Sequence, residues 1–226
     1  MARIKILVAG ESWVKHISHI KGFDIFTSCE YETGITWLRN ALEAQDIEVC
    51  HMPGHEVQDN FPSTAEELAQ YDVVALSDIG ANSLLLSGTT FSKGKISLNR
   101  CEEIKKYTAL GGGFCMIGGY LSFAGIDAKA RYAQTAINDI LPVKILDRDD
   151  RVEKPEGVVP TVCNGAHPVL KGVPSSWPHF LGYNQTITDN GEVLVKAGED
   201  PFVAVREYEK GRSAIFASDC APHWGP

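Results

Sequence analysis

The chain has 226 residues, 44% of them hydrophobic, with a formal net charge of -8 and a pI near 5.4. That length suffices to bury one core, so a single domain over residues 1–226 is expected. The acidic balance and the scattered, unstriped lysines and arginines exclude nucleic acid as a partner.

Ile4–Ala9 is a short apolar run closed by Gly10, the pattern of a strand buried on both faces of a parallel sheet. Glu11 follows too soon for a secretory apolar segment, and no stretch approaches the ~20 apolar residues that cross a bilayer. A soluble cytoplasmic protein without membrane partners is expected. After a loop rich in Gly, Ser and His, Thr33–Gln45 carries Ile35, Leu38 and Leu42 at helical spacing, and Glu48–Met52 reads as a strand broken by Pro53-Gly54. Ser63-Thr64-Ala65-Glu66 opens a short helix over Glu66–Gln70, and Asp72–Ser77 is a further buried strand. Leu98–Leu110 spaces Cys101, Ile104, Tyr107 and Leu110 by three and stops at Gly111–Gly113, before a strand over Phe114–Ile117. Beyond residue 140 the runs shorten: Leu141–Leu146, Val158–Val162, Glu192–Lys196, Phe202–Arg206 and Ala214–Ala217 read as extended. The pattern predicts an α/β fold: a flavodoxin-like, doubly wound, mostly parallel sheet with a β-rich C-terminal elaboration.

In such a sheet, ligands bind beyond the carboxyl ends of the strands, which directs attention to the residues after each one. These are Gly10-Glu11-Ser12-Trp13, His51, Asp78-Ile79-Gly80-Ala81-Asn82, the Gly113–Gly119 segment with Cys115, and Asp219-Cys220-Ala221-Pro222-His223. Small residues on both sides of Cys115 permit a tight strand-to-helix turn that exposes a nucleophile, with a helix start lowering the thiol pKa. A second reading leaves Cys115 as a small buried hydrophobe beside glycines that serve close packing. His223 is the best base, with Asp219 four residues before it as orienting group. It also has a packing reading, its ring lying beside Trp224. Asp78 and Asn82 serve either a ligand or their own loop backbone. Asp149-Asp150-Arg151 suggests a local ion pair.

Six cysteines (Cys29, Cys50, Cys101, Cys115, Cys163, Cys220) form no CxxC pair, so free thiols in a reducing compartment and no structural zinc are expected. His51 and His55 are separated by Pro53-Gly54 and cannot share a helical face, so no metal is predicted. In the absence of a phosphate-binding glycine motif no cofactor is predicted either.

The segments GESW, SDIGAN, GGGFCMIGGYLSF and DDRVE together resemble a glutamine amidotransferase-like family of the class I glutamine amidotransferase-like superfamily, over nearly the whole chain. The resemblance implies Cys115 at the nucleophile turn, with backbone N–H groups of Gly80 and Met116 as oxyanion donors. It also implies Glu11 at the position of a thiol-contacting carboxylate. The chain departs from the glutaminase elbow G-x-C-x-G-x-Q at Ile117 and Gly119 and lacks a His-x-Glu pair, so glutamine hydrolysis is not expected. Two functions stay open: a cysteine-dependent hydrolase or lyase acting on a small amide or carbonyl compound, and a non-catalytic small-ligand binder or interaction protein. A homo-oligomer is compatible with either. The chain closes on His223-Trp224-Gly225-Pro226, and a further C-terminal segment would complete the pocket.

Overall fold

In the computed structural model, which describes residues 3–226, β1 (Lys5–Gly10) holds Leu7, Val8 and Ala9 at 1% exposure or less, as a strand covered on both faces must. The expected loop after it is instead a long hairpin, β2 (Ser12–Lys21) and β3 (Asp24–Thr33), turning at Gly22-Phe23 with Gly22 at φ +68°. Glycine at the first turn position suits the twist of a two-residue hairpin loop. Ile17, Ile20, Ile25 and Phe26 supply β-formers among the Ser, His and Lys residues that disguise the strands.

The chain then forms α1 (Thr36–Glu43), β4 (Glu48–Met52), α2 (Gly54–Asn60) and α3 (Ala65–Leu68). Pro53 does not merely break the strand; it precedes the first residue of α2, where its missing N–H costs no intrahelical bond. In α3, Thr64 Oγ1 accepts from the Glu67 N–H (3.1 Å) and Glu67 Oε2 from the Ser63 N–H (2.6 Å). Next come β5 (Val73–Ser77), α4 (Ala81–Leu85), α5 (Gly88–Phe91), α6 (Arg100–Ala109) and β6 (Gly113–Ile117). Asn99 Oδ1 caps α6 by accepting from Cys101 N (3.0 Å), which leaves Leu98 outside the helix and exposed. The remainder is α7 (Ala136–Ile140), β7 (Val143–Ile145), β8 (Arg151–Val158), β9 (Thr161–Val162), β10 (Phe180–Asn184), β11 (Thr186–Thr188), β12 (Glu192–Ala197), β13 (Asp200–Tyr208) and β14 (Gly211–Phe216).

Eight strands form one mixed sheet in the order β4-β1-β5-β6-β14-β13-β12-β9. The pairs from β4 to β14 are parallel, and β13, β12 and β9 add antiparallel strands at the far side. The C-terminal elaboration therefore extends the main sheet, and also pairs β10 with β8 and β11 with β7. On one face Leu7, Leu76, Phe114 and Met116 pack with Val57, Leu68, Cys101 and Ile104 from α2, α3 and α6. On the other, Val8, Ala75 and Ile117 form a smaller cluster with Ile35 and, from α1, Leu38. The fold is thus an α/β sheet with its larger core on one side. No helix among the described residues is long and apolar enough to cross a membrane.

Because β1 pairs with β4 on one side and β5 on the other, the winding direction reverses between β1 and β5. The carboxyl ends of these strands, with those of β6 and β14, bound the crevice where an open parallel sheet places ligands.

Candidate functional site

At that edge the ladder of β1 ends on Gly10, whose φ of +103° no L side chain adopts comfortably and whose added Cβ would collide with the Ser77 carbonyl. Glu11 follows at φ +49°, its N–H donating to Ser77 O (2.8 Å) and its side chain turned inward to 0% exposure. Ser77 Oγ donates to Glu11 Oε2 (2.6 Å), and the Cys220 thiol reaches the same oxygen (3.5 Å). Glu11 Oε1 has no partner. Burial, with the Asp219 charge second, raises the Glu11 carboxyl to about 7. Burial beside Glu11 also pushes the Cys220 thiol far above the ordinary cysteine range.

The neighbouring turn is built around Asp78, another non-glycine residue with positive φ (+44°). Its Oδ1 accepts from Leu121 N (2.7 Å), and its own N–H donates to Ser122 Oγ (3.1 Å). This approach requires Gly119, where an added Cβ would stand 2.9 Å from Asp78 Cβ. The other amides of the turn are spent as well: Gly118 N donates to Phe216 O (2.8 Å) and Gly119 N to Asn184 Oδ1 (2.9 Å). Asn184 Nδ2 in turn donates to Asp150 Oδ1 (2.9 Å), a buried carboxylate that also accepts from Ala124 N (2.8 Å) and Gly125 N (2.9 Å). After β14, Asp219 Oδ2 lies 3.4 Å from His223 Nδ1, which raises the histidine pKa, and the His223 ring meets Tyr120 at 4.4 Å. Trp224 anchors this segment, buried to 1%, with Nε1 donating to Glu153 Oε2 (3.0 Å).

Of the residues singled out from the sequence, Glu11, Asp78, Asp219 and His223 gather here. Cys115 does not. It lies in the middle of β6, paired with Ala75 and Ala214, and the strand continues through Met116 and Ile117 before turning at Gly118-Gly119. It lines a cavity of about 820 Å³ with Asp72, Gly111, Gly113 and Arg212, at the amino ends of the strands, and burial pushes its thiol up to about 12. The small residues flanking Cys115 in sequence therefore mark the end of a helix on one side and the turn on the other, and the nucleophile position expected for it is a correction. Met116 is likewise inside β6, packed in the larger core, and is no oxyanion donor. Gly80 precedes α4 and abuts Lys129 and Ala130, while Asn82 lines a separate cavity of about 550 Å³ with Asp127, Lys129 and Arg131.

Cys220, Ser77 and Asn184 were missed. Cys220 obeyed the same positional rule as Asp219, directly after a core strand, but carried no flanking glycines to mark it. Asp149 pairs with Arg151 (Oδ1 to Nε 3.0 Å, Oδ2 to Nη2 2.8 Å), whereas Asp150 turns inward to the network above.

The thiol environments set an order of reactivity, since the thiolate is the nucleophile. Under competitive iodoacetamide labelling near neutral pH, the exposed Cys29 and Cys163 should react first and Cys115, Cys101 and Cys220 last. Peptide mapping that finds Cys115 among the fastest would contradict its packing inside β6.

The family described as "Putative glutamine amidotransferase" matches residues 5–226. A cytoplasmic protein of Salmonella typhimurium is 48% identical with a TM-score of 0.94, over 98% of this chain and 90% of its own. A second such protein, from the same species, is 47% identical with a TM-score of 0.93 over the same shares. A Bacteroides uniformis protein described as "Putative thua-like" shares the fold at 14% identity and a TM-score of 0.55, over 96% of this chain and 83% of its own. No curated protein matches the chain.

Proposed function

Because the chain belongs to the glutamine amidotransferase-like family, we propose that it binds a small ligand at the carboxyl edge of its sheet and does not carry out acyl transfer. One observation carries this reading. The N–H groups on the turn after β6 are already spent: Leu121 N holds the Asp78 carboxylate, Gly118 N the Phe216 carbonyl and Gly119 N the Asn184 amide oxygen. An oxyanion arriving there would meet a negative charge in place of free donors. Glu11, Asp78 and Asp219 also make the edge acidic, so it favours a ligand bearing a positive charge, such as a small amine or guanidine. The description of the two Salmonella proteins as cytoplasmic supports a cytoplasmic site of action.

Ammonia release from glutamine should stay at background, and Cys115→Ala should leave it unchanged. Small amines should raise the Tm while carboxylates of matched size do not. Saturation at about 100 Kd corresponds to about 2.7 kcal/mol, or several degrees for a chain of this size. Glu11→Gln should weaken the amine effect. Robust Cys115-dependent ammonia release, or a shift by carboxylates alone, would refute the reading.

A second reading rests on the 3.5 Å contact between Cys220 Sγ and Glu11 Oε2, in which Glu11 takes the thiol proton as Cys220 attacks a small amide or carbonyl compound. Turnover of such a compound, abolished by Cys220→Ser and retained by Cys115→Ser, would favour the hydrolase or lyase over the binder.

A further inference from the structure

Glu11, Asp219 and Cys220 each present one ligand atom, and the three atoms lie within 4.8 Å of one another. Two carboxylates and a thiol share this small volume; among the described residues no lysine or arginine pairs with Glu11 or Asp219, and the one basic partner is His223, 3.4 Å from Asp219 Oδ2. The second oxygen of the same carboxylate, Glu11 Oε1, belongs to a fully buried residue and has no hydrogen-bond partner, so the group keeps coordination capacity beyond the Ser77 and Cys220 contacts made by Oε2. Oε1 lies beside Ala221, on the segment that carries Asp219 and Cys220: a Cβ added at Gly34 would strike both Oε1 and Ala221 Cβ.

We propose that these three residues form a binding site for a divalent metal ion of the zinc class, a reading that rests on the cation preference inferred above for this edge. A tetrahedral ion with Zn–S near 2.3 Å and Zn–O near 2.0 Å spans an S···O edge of about 3.5 Å. The Cys220 Sγ to Glu11 Oε2 separation is 3.5 Å, so an ion can replace the shared proton with little movement of either group. The thiol proton leaves to solvent as the metal–sulfur bond forms. Thiolate with carboxylates selects zinc, cobalt(II) or cadmium over magnesium and calcium, which take oxygen ligands alone. His223 lies behind Asp219 at 3.4 Å and is the positioning residue that holds the ligating carboxylate. A cavity of about 300 Å³, lined by Trp37, Leu38, Asp219, Cys220 and Pro222, leads to the ligands from outside.

Titration of the purified chain with cobalt(II) and cadmium, under a non-thiol reductant, tests this directly. One equivalent per chain should bind with a thiolate-to-metal charge-transfer absorption. Cys220→Ser should abolish the absorption, whereas Cys29→Ser and Cys115→Ser keep it. Glu11→Gln should retain the absorption with about tenfold weaker uptake. His223→Ala, a half-exposed position whose change leaves the core intact, should weaken uptake by about tenfold as well. Circular dichroism confirms that each variant is folded. Failure to see the absorption in the parent chain, its survival in Cys220→Ser, or unchanged uptake in both Glu11→Gln and His223→Ala overturns the site. Amine binding that persists without metal uptake sinks the metal site alone; loss of both removes the cation reading with it.

Discussion

Unfolding free energy should fall by about 3 kcal/mol as pH rises from 4.5 to beyond 7, and Glu11→Gln should remove most of that fall. The carboxyl is raised from 4.5 to about 7 by burial first and by the Asp219 charge second. In the intervening window the folded chain holds a proton that the unfolded chain has released, so folding takes up protons and stability drops with increasing pH. The contribution is fully present below pH 4.5 and lost on passing through about 7. His223, raised by Asp219, loses stabilisation in the same direction, but its side chain is 42% exposed and solvent screening reduces its share. Glutamine mimics the neutral acid in size and shape, which isolates Glu11 from these neighbours. Urea unfolding across this pH range measures the slope; a slope equally steep in Glu11→Gln would show that the carboxylate is not the group responsible.

Asp150→Ala should cost about 3–5 kcal/mol. The substitution leaves Ala124 N and Gly125 N without their acceptor and takes one of two acceptors from Asn184 Nδ2, in a region where Asp150 itself is 1% exposed. Each buried orphan donor costs about 1–3 kcal/mol. The raised pKa of Asp150 offsets part of this, because the folded chain already bears the cost of a buried charge. Asp150→Asn keeps one oxygen acceptor and should lose less. A shift in the urea midpoint at constant m-value is the readout, and a change under 1 kcal/mol for Asp150→Ala would contradict the network. The effect reaches the site, since the Asn184 amide that Asp150 holds also fixes both the N–H and the carbonyl of Gly119.

The parallel strands were legible because burial on both faces leaves an apolar run with no alternation to misread, as in β1 and β5. Helix α6 was legible through its period and its glycine stop, although only the Asn99 cap fixes its first turn. The β2–β3 hairpin was not, because its strands alternate Ser, His and Lys with the β-formers and so resemble a polar loop. The position of Cys115 was lost for a related reason: whether a strand ends before or after Met116-Ile117 is decided by the neighbours it pairs with, and a glycine pattern is silent about that. The gathering of Glu11, Asp78, Asp219 and His223 could be anticipated from topology alone. The filling of the turn by Asp78 could not, since it depends on a left-handed residue meeting a glycine 41 positions away. Cys220 shows the reverse failure, in which the positional rule sufficed and the more conspicuous cysteine drew the reading elsewhere.

The β2–β3 hairpin leaves and rejoins the body at a narrow neck: Gly34 N donates to Glu11 O at 3.1 Å and Thr33 Oγ1 to the same oxygen at 3.0 Å. Along its length the strands bond chiefly to each other, and Phe23, Ile20 and Ile25 at its outer end are exposed. A two-stranded ribbon of this kind is only marginally stable by itself in water. Its amides therefore exchange with solvent through fraying that starts at the tip and stops at the clamp on Glu11, a cooperative unit separate from the sheet and reporting on none of the global stability discussed above.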